Sequence, residues 1–286
     1  MLRGPSRPLW LIIGMKALSL ILLLLCISIS AVAQASAPPE SSQSIPVDQQ
    51  NAQKARALLD QAIQALGGAA YLNIQDFEQQ GRTYSFYHGR PNSYGIEYWL
   101  FYKFPDKERI ELTKKRDVVE IFNGNKGYEV TYKGTRAQDP KDLATVERRH
   151  LYALDNVLRN WLKQPGVALF YDGAAVAAEK PAEQVTILNA RNQGVTLYLD
   201  TTTHLPIKKS FSWRDPTDRE RNTEEEVYDA YREVQGVMTP FSVTRFYNGD
   251  MSNQRFINTV TYNQGVDDSK FEGHVTYQAP SVNTPD

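Results

Sequence analysis

The stretch Val195-Thr-Leu-Tyr-Leu-Asp200, Thr201-Thr-Thr-His204, Leu205-Pro-Ile-Lys-Lys-Ser-Phe-Ser-Trp213 decides the fold. Val195, Leu197 and Leu199 alternate with Thr196, Tyr198 and Asp200. Beyond the polar centre, Leu205, Ile207, Phe211 and Trp213 fall on one side of a period-two repeat interrupted only by Lys209. Pro206, Lys208, Ser210 and Ser212 fall on the other. This period belongs to strands with one buried face. The polar Asp200–His204 and the early Pro206, which has no N–H for a central ladder, make the join a hairpin turn.

The pattern continues outward. The charged run 214–226 reads as a solvated hairpin loop, followed by strands near Val227–Arg232, Phe241–Tyr247 and Arg255–Tyr262. Upstream lie Phe77–Tyr87, Tyr94–Phe104, Glu108–Leu112, Val118–Phe122, Tyr128–Tyr132, a strand around Val176 and Gln184–Ala190. Asn123-Gly-Asn-Lys-Gly127 is a hairpin signal. Tyr98, Leu100 and Tyr102 share one face while Trp99 and Phe101 occupy the other, so that strand is expected to be covered on both sides. Two segments switch to helical spacing. Asp48 to Leu66 has apolar residues three and four apart and stops at Gly67-Gly68; Leu143 to Leu162 does the same after Asp139-Pro140. The sum is a mainly β chain with helices, an α+β arrangement of about eleven strands.

The 286-residue chain carries a net charge of −1, which gives no electrostatic case for nucleic-acid binding. Its 16 Tyr and 11 Phe suit strand faces. Arg3, Arg7 and Lys16, the apolar run Ala17–Ile29 and the small residues Ala31–Ala37 read as an export signal over 1–35. A retained membrane anchor is the competing reading, because Leu9–Val32 is long enough to span. Residues 36–47 read as a disordered linker, 48–273 as one domain and 274–286 as a flexible tail. Cys26, the one cysteine, falls inside the signal, so the exported chain has neither disulfide nor thiolate metal site.

Several segments resemble a known family. Lys103-Phe-Pro-Asp-Lys-Glu-Arg-Ile-Glu111 and Phe122-Asn-Gly-Asn-Lys-Gly-Tyr128 are similar to two of its turns. Leu199–Lys208 is similar to a third, with His204 where glycine is usual. Tyr231–Phe241 and Asp267-Asp-Ser-Lys-Phe271 resemble its closing strands. The family is the exported outer-membrane lipoprotein-sorting type of the LolA-like superfamily, and the resemblance spans Lys54 to Phe271. It implies an incompletely closed antiparallel β-barrel of eleven strands around helices, with an apolar cavity. It further implies a non-enzymatic carrier or sensor of lipid or lipidated protein in the periplasm, in peripheral or transient contact with membrane. The matching motifs are turns and strand ends, so they carry over no ligand-contacting residue.

The residues themselves offer no catalytic signature. Glu147-Arg-Arg-His150 is half of a helical di-metal motif with no second half, and reads as a solvated helix face. His88, His204 and His274 lack zinc-ligand spacing, and no cofactor or metal is expected. The candidate cavity residues are Tyr98, Leu100, Tyr102, Leu197, Leu199, Ile207, Phe211 and Trp213. Leu151, Leu154, Leu158 and Trp161 form the stripe expected to act as a lid. The alternative is an adaptor that binds an envelope protein through a sheet edge or the 214–226 loop, its interior merely packed.

Overall fold

The computed structural model describes residues 47–92 and 94–277. The signal, all but the last residue of the linker, and the tail beyond Tyr277 lie outside the described residues. Two helices come first, α1 (Val47–Ala65) and α2 (Ala69–Leu72). Seven strands follow: β1 (Asp76–Tyr87), β2 (Arg90–Pro91), β3 (Ile96–Lys103), β4 (Lys107–Leu112), β5 (Val118–Asn123), β6 (Lys126–Thr131) and β7 (Gly134–Ala137). Then come α3 (Pro140–Leu151), α4 (Leu154–Arg159) and a 3-10 turn, Trp161–Lys163. The second strand group is β8 (Ala168–Ala177), β9 (Lys180–Leu188), β10 (Gly194–Asp200), β11 (Pro206–Arg214), β12 (Arg221–Val234), β13 (Val237–Tyr247) and β14 (Asp250–Tyr262).

All fourteen strands form one antiparallel sheet, ordered β7-β6-β5-β4-β3-β1-β14-β13-β12-β11-β10-β9-β8, with β2 beside β1. The sheet does not close: β7 and β8 are its edges, and α3 and α4 are the chain between them. The count exceeds about eleven chiefly because β2 and β7 are too short to show a repeat; without them the sheet has twelve strands. Both edges are partly blunted, as exposed edges tend to be. Asn51 of α1 accepts from the Tyr171 N–H at 2.8 Å and donates to the Tyr171 carbonyl at 2.7 Å on β8. Thr276 donates its N–H to the Thr135 carbonyl of β7 at 2.8 Å.

The β10–β11 hairpin forms as its alternation predicts, with Val195 opposite Phe211 and Leu197 opposite Lys209. His204 takes φ of 59°, the left-handed conformation that glycine adopts most cheaply. The phase differs at one place. The ladder shifts between Tyr198 and Leu199, and Ile207 is the residue without a partner. Such a bulge turns one side chain across the sheet. Ile207 therefore packs with Ala177, Ala182 and Tyr198, apart from Leu205 and Phe211. The supposed loop 214–226 is also shorter than expected, since β12 begins at Arg221 and buries Asn222 and Glu224.

The main core joins α1, through Ala55, Leu58, Leu59, Ala62 and Ile63, to Val185, Ile187, Val195 and Leu197 of the sheet. A second cluster covers the far face of β3, where Phe101 and Trp99 meet Val119, Ile121, Val266 and Phe271. Strand β3 is thus covered on both faces, and Tyr98, Leu100 and Tyr102 point the other way. At the β1–β14 bulge, Gly81 is required: a Cβ there would lie 2.1 Å from the Phe256 carbonyl oxygen.

Candidate functional site

The cavity-facing side chains of β1, β3–β5 and β11–β14, together with α3 and α4, enclose a space of about 520 Å³. That lies within the ~300–1,000 Å³ of small-molecule sites. One part of its wall is aromatic. Phe77 stacks on Tyr102 at 5.2 Å, Phe104 meets Tyr102 edge-on at 4.9 Å, and Tyr262 approaches Phe77 at 6.2 Å. Three of its tyrosine hydroxyls donate to fixed acceptors. Tyr98 donates to Gln79 Oε1 at 3.0 Å, Tyr102 to the Pro105 carbonyl at 2.7 Å and Tyr231 to the Pro206 carbonyl at 2.6 Å. Burial pushes Tyr98 and Tyr262 each up to about 12, so both stay neutral at neutral pH.

The other part is ionic. Register sets Lys209 directly opposite Glu226, and Glu226 opposite Arg245, so one row crosses three strands. Lys209 Nζ and Arg245 Nε each lie 2.8 Å from a Glu226 oxygen, and the Tyr228 hydroxyl donates to Oε2 at 2.7 Å. Burial opposes the Glu226 charge, but Lys209 and Arg245 outweigh it and hold the carboxyl well below its usual range. Lys209 is only 2% exposed. The residue that interrupts the apolar repeat in sequence is the one whose charge is met across the strand. The expected apolar cavity is therefore apolar along only part of its wall.

Helix α3 has no buried residue. Pro140 opens it and Asp139 caps it, accepting from Lys141 N at 2.8 Å. Its last turn is held by charge. His150 Nε2 sits 2.8 Å from Glu108 Oε2 on β4, and Arg149 Nε lies 3.2 Å from Glu224 Oε2 on β12. Arg148 pairs with Glu224 at 3.5 Å, and its guanidinium covers the Trp213 ring at 3.9 Å. Between β4 and β12 stand β3, β1, β14 and β13, so α3 bridges the cavity. The Glu147–His150 segment is not a solvated face; apart from Glu147, its charged residues turn inward to carboxylates that the sequence scatters. Glu224→Gln should therefore loosen α3 without touching the hairpin core. Amides 142–151 are expected to exchange about five- to tenfold faster, those of β10 and β11 unchanged; hydrogen exchange read by mass spectrometry checks this.

Of the sequence-derived cavity residues, Tyr98, Leu100 and Tyr102 line the space. Leu197, Leu199 and Phe211 sit in the packed core, Trp213 is half-buried against Phe211, and Ile207 lies in its separate cluster. The lid stripe divides as well. Leu154 lines the cavity and Leu151 is half-buried, whereas Leu158 and Trp161 are each 1% exposed and belong to the core. A stripe at helical spacing cannot distinguish a wall from a core, because both ask for the same side chains. The sequence reading put Arg149 and His150 on a solvated face and Glu226 in a loop, and omitted Glu108, Arg245 and Arg255; the one local signal for them was the misplaced Lys209.

No protein-family model and no curated protein matches the chain. Among solved structures, a DUF1329 family protein from Desulfovibrio piger overlaps with a TM-score of 0.52 at 12% identity, over 76% of this chain and 97% of that one. A LolA superfamily protein from Nitrosomonas europaea gives 0.47 at 11% identity, over 76% of this chain and 97% of its own. An outer membrane lipoprotein-sorting protein domain from Vibrio parahaemolyticus gives 0.48 at 9% identity, over 77% and 97%. The chain shares its fold with the Desulfovibrio piger DUF1329 family protein, and LolA superfamily and lipoprotein-sorting structures are among its neighbours.

Proposed function

We propose that this chain is an exported, non-enzymatic carrier or sensor of lipid or lipidated protein, working in the periplasm. The observation that supports it is the cavity under α3, a helix with no fully buried side chain, joined to the sheet by ion pairs and by the half-buried Leu151. Burying a sixteen-carbon chain contributes on the order of 12 kcal/mol at ~0.8 per methylene. A carrier must also release its cargo, and a helix held mainly by half-buried ion pairs opens more readily than one packed in the core. The movable part is α3 together with the Leu154 turn; Leu158 and Trp161 are the fixed base on which it turns.

Native mass spectrometry of the protein purified from its own envelope tests this. Co-purifying lipid, lost in Leu154→Ser while the fold persists, is the expected result. A second reading has its own observation. The edge strand β8 presents Phe170, 43% exposed, and Val176, 77% exposed, outward. An added strand from an envelope protein would pair there, and a stable lipid-free complex would favour that adaptor.

A further inference from the structure

The charges in and beside the cavity are not all paired one to one. Lys209 and Arg245 share the single carboxylate of Glu226, and Arg148 and Arg149 share that of Glu224. Arg255 stands on β14, flanked in the ladder by Thr83 and Val243 and two residues along from Asn253, which pairs with Arg245. It lines the cavity and has, among the described residues, no hydrogen bond and no ion pair; its guanidinium lies 5.8 Å from the Tyr98 ring, and its charge helps to lower Glu108. Besides His150, four cations line the cavity, Arg149, Lys209, Arg245 and Arg255, and among the described residues Arg255 is the one of the four with no bonded carboxylate. Of the other acids, Glu108 is bonded to His150 and held down also by the charges of Arg255 and Arg245, Asp155 on α4 feels Lys209, and Glu120 is on β5. Burial raises both Glu120 and Asp155, and burial together with Arg245 lowers Arg149.

We infer that the cavity takes an amphiphile with an anionic head group, phosphate or carboxylate, bound at Arg255 beside Arg149 and Arg245, its tail against Phe77, Tyr102 and Tyr262. An unpaired guanidinium in a partly desolvated wall is costly, and a planar anion satisfies it with two parallel hydrogen bonds. The inference rests on the cavity being a lipid site, and it adds the sign of the head.

The test titrates the protein with four probes: dodecyl phosphate, dodecyl maltoside, dodecyltrimethylammonium and inorganic phosphate, each below its micelle concentration where it has one. Dodecyl phosphate is expected to bind about ten- to a hundredfold tighter than the maltoside, and the ammonium weakest, on the scale of one charge-assisted hydrogen bond. Arg255→Gln should erase the preference while keeping maltoside affinity within about twofold, and Arg255→Lys should retain most of it. Equal affinity for the three heads, or an unchanged preference in Arg255→Gln, overturns the inference alone. Inorganic phosphate binding as tightly as dodecyl phosphate also overturns it, since the tail would then contribute nothing. Failure of every amphiphile to bind removes the carrier reading as well.

Discussion

Replacing Trp161 with alanine is expected to remove about 3–5 kcal/mol of stability, the range for deleting a large aromatic from a packed core. Trp161 is 1% exposed, and its ring meets Tyr152 at 5.7 Å, which itself stacks on Phe211 at 4.2 Å. The cavity left by the indole would therefore open between the 3-10 turn and the sheet, with Val157 and Leu158 beside it in the same core. Trp213→Ala is the informative contrast. Its ring is half-buried, with Arg148 on one face, so the loss should be about 1–2 kcal/mol. Urea unfolding of the two variants separates them. Similar losses at both positions would mean that α4 and its turn are not part of the core.

The second large effect belongs to Glu226. Glu226→Gln leaves Lys209 and Arg245 buried without their shared counter-charge, and breaking such a pair from one side costs about 3–5 kcal/mol. Glu225 is the control on the same strand. It points the other way and pairs with Lys208 at 2.6 Å, both side chains partly exposed, so Glu225→Gln should cost under ~1 kcal/mol. The dependence on pH has a definite sign. Glu226 titrates in the folded chain well below the ~4.3 of an unfolded glutamate, so its contribution is complete above that value. It is lost as the pH falls through the folded value. The gap between wild type and Glu226→Gln should thus be constant from pH 8 to about 6 and shrink below about 5, in chemical unfolding at each pH. A gap that widened on acidification would contradict the ion-pair row.

The position of Lys209 shows where sequence reading stops. By itself the sequence determined the strands, because the alternation of side chains is a property of each strand's own backbone and needs no partner to be seen. It determined the two helical segments in the same way, and the β10–β11 turn through residues that tolerate its backbone. The LolA-like resemblance carried the fold further than periodicity could. The tertiary structure alone decided the site. A lysine in an apolar repeat reads as an interruption until β12 is laid beside β11 and Glu226 arrives opposite it. Likewise Arg148, Arg149 and His150 read as a wet face until α3 is set between β4 and β12. The bulge that moves Ile207 out of phase, and the split of the Leu151–Trp161 stripe into wall and core, are also matters of register and contact. These pairings join residues from 42 to 75 positions apart in the cases of His150–Glu108 and Arg149–Glu224. No local pattern encodes them, because what makes each charge tolerable in the interior is a partner that only the assembled sheet supplies.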